Sequence, residues 1–428
     1  MNAPVFHLDG AQGPSVVRGR REAAMRVFAA LPLPSSKDEE WRYTPLRLLW
    51  DKSYSAHRSG DAAALLADFP LEEAAGRRVV FVNGRLDADL SDWSDLPTGM
   101  TITSFADADP AASTLIEANL GRADSFGDEY FAQLNHAHYG DGILIHARRN
   151  AVSPAPVAIY SLVTGAGAVA LPKVLYVGDA FSEMSVIEVF HGPDATDYLH
   201  VPFTEVVLAD EARLHHFRVQ QDGDAGVHIN RTASVLGRSS DLQSFTISLG
   251  ARLFRNDIRA ALDGEGGHAT LDGLVLVHGN QLSDTHSVLD HRKPNCTSHQ
   301  LHKCIVDGQG TSVFNGKIFV RQIAQQTNAF QENHNLQLSH HGQVYTKPQL
   351  EIFADDVKCS HGATVGQMDD EQLFYLRSRG LTELHTRYLL TFGFAAQIVN
   401  ALPDGTLKER LTGEVDAFTR KRFDALTV

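Results

Sequence analysis

The sequence predicts a mainly β protein, with its strands stacked as a solenoid and helical segments at both ends. Three observations carry that expectation. Between Val174 and Val365, short runs rich in Val, Leu, Ile, Phe and Thr alternate with small polar turns. The turns starting at Gly178, Ala209, Gly237 and Asp263 recur at 26 to 31 residues, and further turns follow at Val277–Asn280, Val306–Gly310 and His341–Gln343. Helical patterning is almost absent in between, which removes βαβ units and leaves a β-solenoid or a large sandwich. The loose period favours the solenoid, where each coil buries its apolar side on its neighbours.

The front of the chain reads as a mostly helical region over residues 1–80. Val16 to Ala30 places Val16, Ala23, Val27 and Ala30 near helical spacing, and Leu31-Pro32-Leu33-Pro34 ends that helix. Ser36-Lys37-Asp38-Glu39 has capping-box spacing for a short helical turn. Next comes Glu40-Trp41-Arg42-Tyr43-Thr44-Pro45-Leu46, whose aromatics read as the anchor of a small core, with a peptide-docking motif as the alternative. Residues 81–170 form an α/β connection into the solenoid. In it Arg78–Leu86 is a buried strand with an Asn83-Gly84 turn, residues 105–138 are mostly helical, and Gly142–His146 and Val157–Leu162 return to strand. The solenoid core spans 171–366.

Residues 367–428 are helical. Asp369-Asp370-Glu371-Gln372 opens the first helix with an acidic turn, as the helix dipole prefers, and Gly380 follows its end. Thr382 caps a second helix running to Leu402, Pro403-Asp404-Gly405 stops it, and Leu407 to Leu426 makes a third. The expectation is a cap on the solenoid, with a docking platform as the sharper alternative.

Composition narrows the function. A formal net charge of -14 without a long basic run points away from nucleic acid. No window approaches the roughly 20 apolar residues of a spanning helix, and the start lacks a signal-peptide pattern. Three cysteines, Cys296, Cys304 and Cys359, are too few for a disulfide framework and suit a reducing cytoplasm. Histidines number 21, which makes metal chemistry worth testing.

Three constellations bear on chemistry. Gly310-Thr311-Ser312-Val313-Phe314-Asn315-Gly316-Lys317-Ile318 looks like a phosphate loop, but five residues separate its glycines and Ile318 replaces the magnesium-binding hydroxyl. It reads as a strand-to-strand turn, so no nucleotide is expected on this chain. Cys296, His302 and Cys304 share one strand face while His299 points away, so the two cysteines read as small core hydrophobes. In Ala354–Gly366, an extended backbone points Cys359 and His361 the same way, about 7 Å apart at their roots. That spacing suits co-ligation of a metal better than proton transfer; a thiolate–imidazole nucleophile and an ordinary core cysteine are the alternatives. An iron–sulfur cluster commonly takes four cysteine ligands, which this neighbourhood lacks. Any such site is therefore incomplete, transient or completed by another chain.

From Val313 to Gly380 the sequence resembles the SufB/SufD family of iron–sulfur cluster assembly proteins. The resemblance rests on Val313–Ile318, Ala324–Thr327, Gln331–Asn333, Lys347–Ile352, Asp355–Gly366 and Glu371–Gly380, with Glu39–Leu46 similar to the family's N-terminal motif. Cys-Ser-His-Gly-Ala-Thr is similar to the SufD form, since SufB typically has a glutamate where Gly362 stands. The resemblance implies a right-handed parallel β-helix between helical domains, and no catalysis by this chain itself. It implies pairing with SufB through the β-helix, docking of the ATPase SufC on the C-terminal helices, and a possible homodimer in isolation. Cys359 and His361 would then lie at the SufB interface, where a nascent iron–sulfur cluster forms as shared, transient cargo. Phe374, Tyr375, Arg377 and Arg379 are the candidate docking residues for SufC. Ser339-His340-His341-Gly342-Gln343 departs from the family by its histidines. The rival classes are a stand-alone β-helix enzyme acting on polysaccharides and a homodimeric metal-binding module.

Overall fold

A computed structural model describes residues 3–8, 14–56, 60–124, 129–153 and 155–424. The chain winds through about eight coils, each contributing one strand to each of two facing parallel sheets. Sheet I runs from Lys173–Gly178 through Phe203–Leu208, Val227–Leu236, Leu253–Leu262, Leu282–His291 and Thr311–Val320 to Gln343–Ile352. Sheet II runs from Glu183–His191 through Arg213–Gln221, Asp241–Ser248, His268–Val277, Thr297–Val306 and Thr327–Gln337 to Val357–Gly366. The stack extends upstream as well, because Gly142–Ala147 pairs with Lys173–Gly178, and Val157–Leu162 pairs with both Glu183–His191 and Arg78–Val82. The architecture is a parallel β-helix.

Ladder partners lie 26 to 32 residues apart, from Val227 with Leu253 to Thr311 with Gln343. Each coil therefore has two corners: the turns at Gly178, Ala209, Gly237 and Asp263 fall at the corner leading from sheet I to sheet II, and those at Val277, Val306 and His341 at the other. The first of these corners carries a column of residues in the left-handed region: Asn150, Phe181, Glu211, Ser239, Gly266, Asn295 and Gln326. Each donates its backbone N–H to a carbonyl of the next coil, as Glu211 does to Arg238 at 2.7 Å and Asn295 to Gln325 at 2.9 Å. A turn that must bend the chain and still face the next coil needs this geometry, which explains the Asn, Ser and Gly found there.

Three cores follow from strand alternation. The lumen between the sheets holds Val186, Leu214, Leu242, Ile258, Leu271, Leu289 and Ile318. Outside sheet I lie the helices α1 (Arg18–Phe28), α3 (Pro110–Asn119) and α4 (Tyr130–His138) of the N-terminal region, while α2 (Ala62–Ala67) packs on the outer face of sheet II. Ile116 of α3 and Leu134 of α4 share a cluster with Trp41, Phe203 and Val235. Trp41 is the anchor the sequence suggests, and Arg255 of sheet I lies over its ring at 4.7 Å. The capping box does not form: Asp38 instead accepts from the Ser35 backbone at 2.8 Å, leaving Ser36 out.

The tail forms α5 (Asp370–Ser378), α6 (Glu383–Val399) and α7 (Thr406–Asp424), with Asp369 and Thr382 accepting from their first-turn N–H groups. The predicted extension of the last helix to Leu426 lies outside the described residues. The expected cap is corrected by the structure. Ala395, Ile398, Leu407, Leu411 and Val415 bury against Phe217, Phe245, Leu274 and Leu301, so the helices lie along the outer face of sheet II. That face is apolar over several coils and offers more burial than the narrow end of the stack.

Two stability predictions follow from corners and lumen. A Cβ on Gly264 would stand 2.0 Å from the Arg238 backbone nitrogen of the previous coil. Gly264→Ala should therefore cost about 1–3 kcal/mol, while Ser239→Gly, at a left-handed position, should be tolerated; thermal unfolding of both distinguishes them. Burial also pushes His228, His291 and His302 down to about 4. The unfolded chain takes up those protons near pH 6.5 and the folded chain does not. Stability is thus present above pH 6.5 and falls as pH drops towards 4, by up to about 4 kcal/mol per pH unit for the three together. A flat melting temperature between pH 6.5 and 4.5 would contradict this.

Candidate functional site

The two ends of the β-helix differ. At the first end, Arg78–Val82 folds into an antiparallel hairpin with Arg85–Leu86 through Asn83 and Gly84, and Met100–Ser104 pairs antiparallel with Gly142–Ala147. Leu86, Trp93 and Leu96 pack on the lumen core there. At the other end, Gln343–Ile352 pairs only with Thr311–Val320, and Val357–Gly366 only with Thr327–Gln337. Among the described residues no further strand pairs with this last coil, although Tyr43 stacks on Tyr345 at its side, and most of Val357–Gly366 is exposed.

Cys359 and His361 sit on that final strand. In the ladder Cys359 stands over Ala329, and His361 over Gln331. Ala329 belongs to the lumen core and Cys359 packs against it, so these positions face the mouth of the lumen. Cys359 is half-buried and His361 exposed. Burial pushes the Cys359 thiol up from its usual value. In the isolated chain it is a protonated thiol near neutral pH, and only a metal or a cation from another molecule would make it a thiolate.

No third ligand joins them: among the described residues, the one group of three metal-capable side chains is His200, Asp222 and His228, inside the β-helix. There the spacing is that of hydrogen bonds. Asp222 faces Nδ1 of His200 at 3.0 Å and of His228 at 2.7 Å, and accepts from Gln220 at 3.0 Å. Burial opposes ionisation of Asp222, but the two imidazoles outweigh it and hold the carboxyl well below its usual range. This knot escaped the sequence reading. His200 and His228 are ladder partners one coil apart, a relation that only the register reveals.

The remaining candidates separate cleanly. Cys296 lies in the lumen core and Cys304 in a distinct cluster with Val277 and Val306, so they are core residues as expected. Gly310–Ile318 is no turn: Thr311–Val320 is continuous strand, and Lys317 faces Glu351 at 3.7 Å. His340 meets Gln367 at 2.9 Å. On α5, Phe374 is 75% exposed and Tyr375 56% exposed, although they would be costly to leave in water. Arg379 donates to the Tyr375 hydroxyl at 3.0 Å, and Arg377 lies 3.6 Å from Glu383. A cleft of about 650 Å³ lined by Leu373, Phe374, Arg377, Leu381 and Arg387 runs beside them.

Sequence comparison places this solenoid among proteins of iron–sulfur cluster assembly. Residues 161–394 match the model described as "SUF system FeS cluster assembly, SufBD core domain", and residues 10–159 match "SufBD protein N-terminal region". This chain belongs to the SufBD family. An iron–sulfur cluster assembly SufBD family protein of Synechocystis is 34% identical over 93% of the chain and 90% of that relative. The iron–sulfur cluster assembly protein SufD of Escherichia coli is 32% identical over 90% and 88%, and the chloroplastic protein ABCI7 of Arabidopsis thaliana 29% over 92% and 84%. The SufD-like character read from the Cys359–Thr364 motif accords with these relatives. No described helix is long and apolar enough to cross a membrane.

Thiol reactivity checks the geometry. Burial drives Cys304 up to about 12 and also raises Cys296. The native chain should alkylate at Cys359 alone, slowly at pH 7 and faster towards pH 9, and at all three cysteines once unfolded. Mass spectrometry of the labelled peptides reads the result.

Proposed function

We propose that this chain is a non-catalytic scaffold subunit that builds iron–sulfur clusters together with a SufB partner and the ATPase SufC. The observation that carries the reading is the position of Cys359 and His361 on the open-edged last coil of a SufBD-family β-helix. Two ligands cannot hold a cluster that needs about four. A second β-helix pairing with the open end would supply the rest, and would satisfy the unpaired backbone of the last coil.

In this reading Cys359 offers a soft sulfur and His361 a borderline nitrogen to iron or sulfide, and the nascent cluster is cargo shared across the interface. Docking would also change Cys359 itself: bound iron stabilises the thiolate that burial now disfavours. SufC would seat against α5, where Phe374 and Tyr375 are exposed beside a cleft, and ATP would be spent there and not on this chain. The reading keeps the protein in a reducing cytoplasm, which its three free thiols suit. A polysaccharide-active β-helix enzyme needs an open groove along its coils. Here the N-terminal region packs on sheet I, and α6 and α7 pack along sheet II.

The experiment is co-expression with SufB and SufC. Cys359→Ser and His361→Ala should each lower cluster yield of the purified complex by about tenfold, with subunit stoichiometry unchanged. Phe374→Ala with Tyr375→Ala should instead weaken SufC retention, at about 1–2 kcal/mol or more. Wild-type yield from both site variants would remove those residues from the mechanism.

A further inference from the structure

Directly beneath His361, the lumen holds a side chain with an unused acceptor. Gln331 is the ladder partner of His361 and is completely buried. Its Nε2 donates to Oε1 of Gln300, one coil further in, at 2.6 Å. On the opposite sheet Gly316 leaves the lumen room for that amide. A Cβ there would stand 2.4 Å from Gln331 Nε2 and 2.7 Å from its Cδ, so the amide fills the space that glycine leaves. Gln331 is therefore held from two sides, and its Oε1 is buried without a hydrogen bond.

A buried acceptor left unpaired costs about 1–3 kcal/mol. Of its two ladder neighbours, Gln300 already uses the nitrogen, and the other is His361. An imidazole that gives one N–H to such an acceptor has its tautomer fixed, and the lone pair of the other nitrogen is left for an electrophile. The geometry points to Gln331 as the positioning residue of His361: its Oε1 takes the ring N–H and turns the remaining nitrogen to the open end as a ligand for a divalent transition metal. The positioning stands on the ladder alone, while the metal rests on the function proposed above. Gln331 touches no cargo in this arrangement and acts only through the ring.

The test uses the full chain labelled with ¹⁵N-histidine at pH 8, the His361 signals being assigned by their loss in His361→Ala. In the wild type the two ring-nitrogen shifts should report one dominant tautomer. Gln331→Leu removes the acceptor and should release the ring to the tautomer mixture of a solvated imidazole. Gln331→Glu keeps an oxygen in place and should retain the single tautomer. Gly316→Ala, on the opposite sheet, displaces the amide and should reproduce Gln331→Leu, so the test survives if either variant folds poorly. Titration with Co²⁺ as the probe should show binding weakened about 10–100-fold in Gln331→Leu. Identical tautomer ratios in the wild type, Gln331→Leu and Gly316→Ala overturn the positioning role even if cobalt binds. A ratio released by both substitutions upholds it, and if no form then binds cobalt, only the metal reading of His361 falls.

Discussion

Every coil of a parallel β-helix leaves a row of backbone N–H and C=O groups that only the next coil can satisfy. The rest of this structure depends on that constraint. It sets the ten-residue strands in register across coils of unequal length and pushes the differences in length into the corners. It also decides where chemistry sits. Side chains facing inward stack in columns, so a residue on the last strand inherits its surroundings from residues 30 positions earlier, as His361 does from Gln331. At the final strand the row has no successor among the described residues, and the candidate site lies there.

Local signals were legible in the sequence. The Asn83-Gly84 hairpin, the acidic opening of α5, the Thr382 cap and the β-punctuation all depend on neighbours within a few residues. The shared face of Cys359 and His361 followed from strand alternation alone. Ser36 failed as a cap because Asp38 found the Ser35 backbone first, a competition that spacing does not rank. The lateral packing of α6 and α7 was hidden for a different reason. Amphipathicity says that a helix buries a face, but the outer face of sheet II becomes a partner only once several coils have assembled. Gln331 and the His200–Asp222–His228 knot were invisible for the same cause, since their neighbours are defined by register. Once the coil length is known, subtracting it from a residue number finds them.

Polar groups are also distributed by this architecture. The outer face of sheet II is apolar where α6 and α7 cover it, whereas the outer face of sheet I carries buried ion pairs such as Arg255–Asp284 at 2.6 Å, and the lumen carries the Glu188–Arg218 pair, bonded at 3.0 Å, and the Gln300–Gln331 step. Buried polar groups of this kind contribute little net stability, because desolvation opposes the attraction, but each tolerates few alternative partners. They select one stacking register over its neighbours. The imidazoles of His228 and His302 join the same system, pushed down by exclusion from water.

The unequal ends leave the described β-helix one end whose strand edges are open to a further coil. An edge closed by the antiparallel hairpin of Arg78–Leu86 cannot accept another coil in register, and the edge at Val357–Gly366 can accept a single partner. Two such bodies meeting open end to open end exhaust each other and leave nothing to extend, so growth terminates at a pair and no fibre forms. In the pairing proposed above, a site straddling the junction would lie at that one interface.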